Sequence, residues 1–73
     1  MSKFAVPDFT TGELELRVEG TELSIYGTAK GLRKLAEYCL WIVEQPNQQH
    51  LHLDTTGLLT KDSAKGAIAI FEK

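Results

Sequence analysis

The chain has 73 residues, a net charge of −2 and one cysteine, and these numbers exclude several classes of protein. So small a charge gives no general attraction to nucleic acid or to an anionic membrane surface. A single cysteine excludes an intrachain disulfide and a four-cysteine zinc site. Since no apolar run reaches the ~18 residues of a membrane span, we expect one small cytoplasmic domain, residues 1–73, that binds neither nucleic acid nor membrane.

Residues 1–12 are predicted to form an irregular arm and residues 13–26 a β-hairpin. Apolar and polar residues alternate on both sides of a turn signal at Glu19-Gly20, which is the pattern of two paired strands. We place the loop at Glu19-Gly20, because a loop at Gly20-Thr21 would set Glu19 opposite Glu22. In either register one face of the hairpin is apolar and consists of Leu14, Leu16, Val18, Leu23 and Ile25.

A helix is predicted over residues 29–45. Thr28 is a suitable N-cap residue, and Pro46 limits the far end because a proline disfavours helical backbone in the residue before it. Apolar residues at helical spacing predict a stripe that packs on the apolar face of the hairpin; it contains Leu32, Leu35, Ala36, Cys39, Leu40 and Val43. At ~100° per residue, Trp41 falls on the opposite side of the helix, beside Tyr38.

Two further strands are predicted, at residues 50–54 and 67–72. The second range also fits a helix, but a strand there would protect the edge of residues 50–54. The resulting fold is a small α+β domain of order ββαββ. We expect a mostly antiparallel four-stranded sheet, in the order 2-1-3-4, with one helix packed on one face.

His50, His52 and Asp54 are candidate ligands on the open face of this sheet. Alternation along a strand puts them on one side and Leu51 and Leu53 on the other. Two imidazoles so spaced could hold a divalent metal with the carboxylate as third ligand. An open sheet face offers no dry pocket, however, and Cys39 lies in the apolar stripe. We therefore favour a solvated or partner-facing surface and predict no metal, no cofactor and no catalytic residue.

Trp41 and Tyr38 are candidate contact residues for another chain. The predicted core has no need of an indole on the far side of the helix, and exposed tryptophan and tyrosine are typical of interaction hot spots. The partner would be a second copy of the chain or a different protein. The N-terminal arm folding over Trp41 is the alternative.

Three segments carry a resemblance to a known family: residues 31–36 (GLRKLA), 50–54 (HLHLD) and 57–63 (GLLTKDS). On the basis of these three segments, the sequence resembles the bacterial toxin-immunity proteins of the family numbered thirty-two. The resemblance implies a protein that binds and neutralises a cognate toxin without catalysis. The candidate toxin-binding residues are then Glu13, Glu15, Tyr26, Tyr38, Trp41, His50, His52 and Asp54. A homodimeric interaction module is the first alternative, and a metal-dependent enzyme using His50, His52 and Asp54 is the second.

Overall fold

The computed structural model describes residues 6–45 and 50–71. Its elements, in chain order, are strands β1 (Leu14–Glu19) and β2 (Glu22–Gly27), helix α1 (Ala29–Val43), strand β3 (His50–His52), a 3-10 turn (Leu53–Thr55) and strand β4 (Ala67–Ala69). The α+β class and the order ββαββ agree with the prediction. The predicted arm before residue 6, the turn at Pro46 and residue 72 of the last strand lie outside the described residues.

The strands form two separate antiparallel sheets, β1-β2 and β3-β4, instead of the predicted single sheet. The outer edge of β1 is occupied by residues 58–64, which contain no regular strand. The Leu14 N–H donates to the Leu58 carbonyl at 3.1 Å, and the Leu14 carbonyl accepts from the Thr60 N–H at 2.9 Å. Because this irregular segment satisfies the backbone of β1, no position remains there for β3.

The register of the hairpin differs from the predicted one. Val18 pairs with Leu23, and Glu19 with Glu22, around a Gly20-Thr21 loop. Gly20 has φ = 64°, whereas Thr21 does not have a positive φ. A two-residue hairpin loop with this geometry places glycine first. Both glutamates are exposed, so water weakens their repulsion and the turn geometry decides the register.

The start of α1 is held against the hairpin by a cap and a glycine. The Thr28 hydroxyl accepts a hydrogen bond from the Gly31 N–H at 3.0 Å and donates one to the Glu13 carboxylate. Gly31 is buried, and a Cβ at this position would overlap the Glu13 backbone carbonyl. The helix can therefore approach β1 this closely only because residue 31 is glycine.

The helix is rotated relative to the prediction. The side turned inward carries Gly31, Leu35, Tyr38 and Ile42, with Ile42 only 4% exposed. Of the predicted stripe, only Leu35 is partly buried; the exposed members are Leu32, Ala36, Cys39, Leu40 and Val43. Apolar residues surround most of this helix, so their spacing left its orientation open, and the close contact at Gly31 determines it.

The core lies between β1 and the C-terminal half of the chain. Leu14, Leu16, Leu53 and Leu58 are buried together, and the partly buried residues packed on them are Leu35, Tyr38, Leu59 and Ile68. The rest of the hairpin's apolar face is exposed, namely Val18, Leu23 and Ile25. No helix within the described residues is long and apolar enough to cross a bilayer.

Candidate partner-binding groove

A shallow groove of about 390 Å³ lies between α1 and β3. It is lined by Glu37, Tyr38 and Trp41 of the helix and by Leu51 of the strand. Tyr38 is partly buried against the core, whereas Trp41 remains 43% exposed. Residues 37, 38 and 41 are neighbours on one side of a helix because side chains four apart lie one turn from each other. The groove thus presents two aromatic rings and a leucine in a concave surface.

The rim of the groove carries charge. Glu37 lies at one side, and its carboxylate is 3.6 Å from the ammonium group of Lys34. Both side chains are exposed, with relative side-chain areas of 66% and 48%, so this ion pair contributes little to stability and can be exchanged for another partner. An apolar or aromatic side chain with a cationic neighbour matches the chemistry of this surface.

His50 and His52 lie on the other face of β3, because Leu51 between them lines the groove. Their ring centroids are 5.0 Å apart and their planes almost perpendicular. Asp54 belongs to the 3-10 turn and not to a strand, so the predicted alignment of three ligand side chains on one strand is wrong. Within residues 6–45 and 50–71, no group of three or more histidines, cysteines, aspartates or glutamates could hold a metal ion.

Glu15 is an internal residue, with only 1% of its surface exposed. Its carboxylate accepts hydrogen bonds from the Thr60 hydroxyl at 2.7 Å and from Arg17 Nε at 2.6 Å. The Thr60 hydrogen bond lowers the pKa of Glu15, burial opposes this, and the Arg17 hydrogen bond lowers the pKa further. The predicted position of Glu15 on an open face is wrong, because residues 58–64 cover that side of β1.

Glu13 and Tyr26 are half-buried parts of the hairpin. Glu13 is engaged with Thr28 at the start of the helix, and the Arg17 guanidinium lies 5.5 Å from the centre of the Tyr26 ring. The eight candidate residues are thus distributed over the groove, the outer face of β3, the 3-10 turn and the hairpin with its flanking residue Glu13. That any of them contacts a partner stays a prediction.

Leu51 and Glu37 line the groove but were not among the predicted contact residues. Alternation with two histidines predicted that Leu51 faces the helix, and in the structure it is partly buried and lines the groove beside α1. The available signal was the position of Glu37 one residue before Tyr38 and four before Trp41, which places all three on one side of a helix.

Comparison with known proteins agrees with the resemblance seen in the three segments. A family model described as Immunity protein 32 matches residues 22–72. The match includes β2, α1, β3 and β4, and therefore every residue of the groove. No curated protein and no solved structure matches the chain. Because the matched range is well over half of the sequence, this chain belongs to the Immunity protein 32 family.

Proposed function

We propose that this protein binds a bacterial toxin and neutralises it by occlusion, without catalysis, in the cytoplasm of the cell that makes both. Membership of an immunity-protein family supports a protein partner. We choose the groove as the toxin-binding surface because Trp41 is 43% exposed there, beside a tyrosine that packs into the core.

The groove has the composition of an interaction hot spot. Trp41 offers a large rigid ring, Tyr38 lines the same groove and packs against the core, and Leu51 lines it from β3. Tryptophan and tyrosine in a partly enclosed apolar site account for most of the binding free energy in many interfaces. Glu37 at the rim would attract a basic group of the toxin and orient the complex.

The test is Trp41→Ala in cells that express the toxin encoded beside this gene. We expect protection to be lost and the affinity for the purified toxin to fall by at least about 30-fold, which corresponds to a hot-spot loss of ~2 kcal/mol. Leu40→Ala is the matched control, since Leu40 adjoins Trp41 in sequence, is 68% exposed and does not line the groove. It should protect as well as the unaltered protein.

His50→Ala adds a second control on the outer face of β3. If this variant and not Trp41→Ala loses protection, the toxin binds the histidine face and the groove assignment is wrong. Full protection by Trp41→Ala, with unchanged toxin affinity, would also remove the groove from the interface. If the neighbouring gene product is harmless to unprotected cells, the proposed immunity function is wrong.

A further inference from the structure

Within residues 6–45 and 50–71, the outer edge of β2 has no backbone partner. On β1, the backbone groups of Leu14 and Leu16 point toward residues 58–64. Since backbone groups alternate in direction along a strand, the residues of β1 that bond β2 are Glu15, Arg17 and Glu19. Their partners on β2 are Tyr26, Ser24 and Glu22. Leu23 and Ile25 therefore direct their N–H and C=O groups outward, where no backbone group of residues 6–45 or 50–71 bonds them.

Among the described residues, this edge lacks most of the features that usually prevent strands from associating, and its one charged residue, Glu22, lies at the end of β2. Natural edge strands are protected by lysine, proline, a bulge or a covering element. β2 has the sequence ELSIYG, with no lysine and no proline, and it pairs with β1 without a bulge. Leu23 and Ile25, the two residues with outward backbone groups, are also 58% and 45% exposed. Among the described residues, none bonds the outward backbone groups of this edge, and its apolar side chains are exposed, so a further strand can pair there.

The sequence of β2 is complementary to itself in one antiparallel register. With the two-fold axis at Ser24, Leu23 lies opposite Ile25 of the second copy, and Ile25 opposite Leu23. Opposed residues in an antiparallel pair share one face, so the apolar side chains meet. Glu22 lies opposite Tyr26 of the second copy, so no two like charges oppose each other. The same register pairs the outward N–H and C=O groups of Leu23 and Ile25 with one another.

We propose that β2 pairs antiparallel with β2 of a second copy of this chain, and that the two hairpins form a four-stranded sheet β1-β2-β2-β1. Two-fold symmetry of this kind uses the same patch on both partners, and the pattern of β2 around Ser24 meets that requirement. Registers centred on Leu23 or Ile25 would leave one of the two apolar residues opposite Thr21 or Gly27. This surface is distinct from the Trp41 groove, so the dimer goes beyond the proposed toxin binding.

Site-directed crosslinking tests the register directly. In the dimer the two Ser24 residues form a non-hydrogen-bonded pair with Cα atoms about 4.5 Å apart, within the ~4.4–6.8 Å range of disulfides. Ser24→Cys in a Cys39→Ser background should therefore form a disulfide dimer under mild oxidation. Val18→Cys in the same background is the control, because three strand spacings, ~14 Å, would separate the two cysteines. Equal crosslinking of both variants would overturn the proposed register.

Sedimentation tests the association without any crosslink. The unaltered protein should have a mass near twice the 8.1 kDa of the chain, and Leu23→Lys should have the mass of a monomer. Val18→Lys is the matched control for Leu23→Lys. Val18 pairs with Leu23 on the same face and is 66% exposed, but it is not on the outer edge of β2. It should remain a dimer. A monomeric unaltered protein at high micromolar concentration, or a monomeric Val18→Lys with native circular dichroism, contradicts the proposal.

Discussion

The two strands of the hairpin have similar alternating sequences and opposite environments. In β1 the first three residues, Leu14, Glu15 and Leu16, are all buried. In β2 the corresponding apolar residues Leu23 and Ile25 are exposed. The difference is not in the strands but in what borders them: residues 58–64 bond the outer edge of β1, whereas the outer edge of β2 has no backbone partner within the described residues.

The segment that borders β1 also determines whether a polar residue of the strand is buried or exposed. Glu15 alternates with leucines in the same way as Ser24 does between Leu23 and Ile25, yet it is sealed inside by Thr60 and Arg17. A hairpin alone is only marginally stable, and further contacts decide which strand becomes interior. The family match begins at residue 22 and includes residues 58–64, so it contains the segment that makes β1 the interior strand.

The largest expected effect is a direct contrast between the two strands. Leu14→Ala should lower the free energy of unfolding by ~2–5 kcal/mol, because it leaves a cavity in the core. Leu23→Ala, on the same apolar face of the hairpin but 58% exposed, should change it by less than about 0.5 kcal/mol. Urea denaturation at low protein concentration, where self-association is absent, measures both. Similar losses for the two variants would mean that β1 is not the interior strand.

A second substitution tests how β1 is joined to the helix. Gly31→Ala should destabilise the protein by ~1–3 kcal/mol, because the added Cβ overlaps the Glu13 carbonyl and overpacking has costs of this size. Intrinsic helix propensity predicts the opposite, a gain of about 1 kcal/mol. Ala36→Gly, on the exposed side of α1, measures the difference in helix propensity between alanine and glycine without a packing change. A stabilised Gly31→Ala variant would contradict the close approach of α1 to β1.

Glu15 gives β1 a pH dependence that can be tested by replacement. Because folding lowers its pKa, the unfolded chain takes up the proton first, and stability falls as pH falls below the ordinary pKa of 4.5. Above that value the contribution of the ionised carboxylate is complete. Glu15→Gln should therefore flatten the acid side of a stability profile measured by denaturation between neutral pH and pH 3.

The variant should keep some acid sensitivity. The Thr10 backbone N–H lowers the pKa of Asp8 as well, and Asp8 is unchanged. At neutral pH, Glu15→Gln should cost ~1–3 kcal/mol, since Arg17 and Thr60 lose a charged acceptor. Glu22→Gln, on exposed β2, should change stability at neutral pH by less than about 0.5 kcal/mol. Equal effects of the two would contradict the burial of Glu15.

The smallest expected effect concerns the register of the two strands. Glu19→Lys should stabilise the protein by ~0.2–1 kcal/mol, because it replaces a like-charge pair with Glu22 by an opposite-charge pair. Glu22→Lys should have the same effect, and the double variant should lose the gain. A double-mutant cycle from thermal or urea unfolding measures this coupling. Zero coupling would indicate the predicted Glu19-Gly20 loop instead.

Local patterns in the sequence were sufficient for the elements themselves. Alternation predicted the hairpin and assigned its faces, Thr28 located the start of the helix, and the order ββαββ with the α+β class followed. The three segments beginning at Gly31, His50 and Gly57 also indicated the immunity family that the family model supports. These features depend on residues close together in the chain, and short-range geometry determines them.

The tertiary structure decided everything that depends on distant neighbours. The rotation of α1 follows from the contact of Gly31 with Glu13, eighteen positions earlier, and could not follow from a helix with apolar residues on most sides. Residues 58–64 took the edge of β1 and closed over Glu15, which divided one predicted sheet into two. The 3-10 turn removed Asp54 from the histidine strand. Alternation states only which side chains share a face, and the segment that lies against that face determines whether they are core, groove or surface.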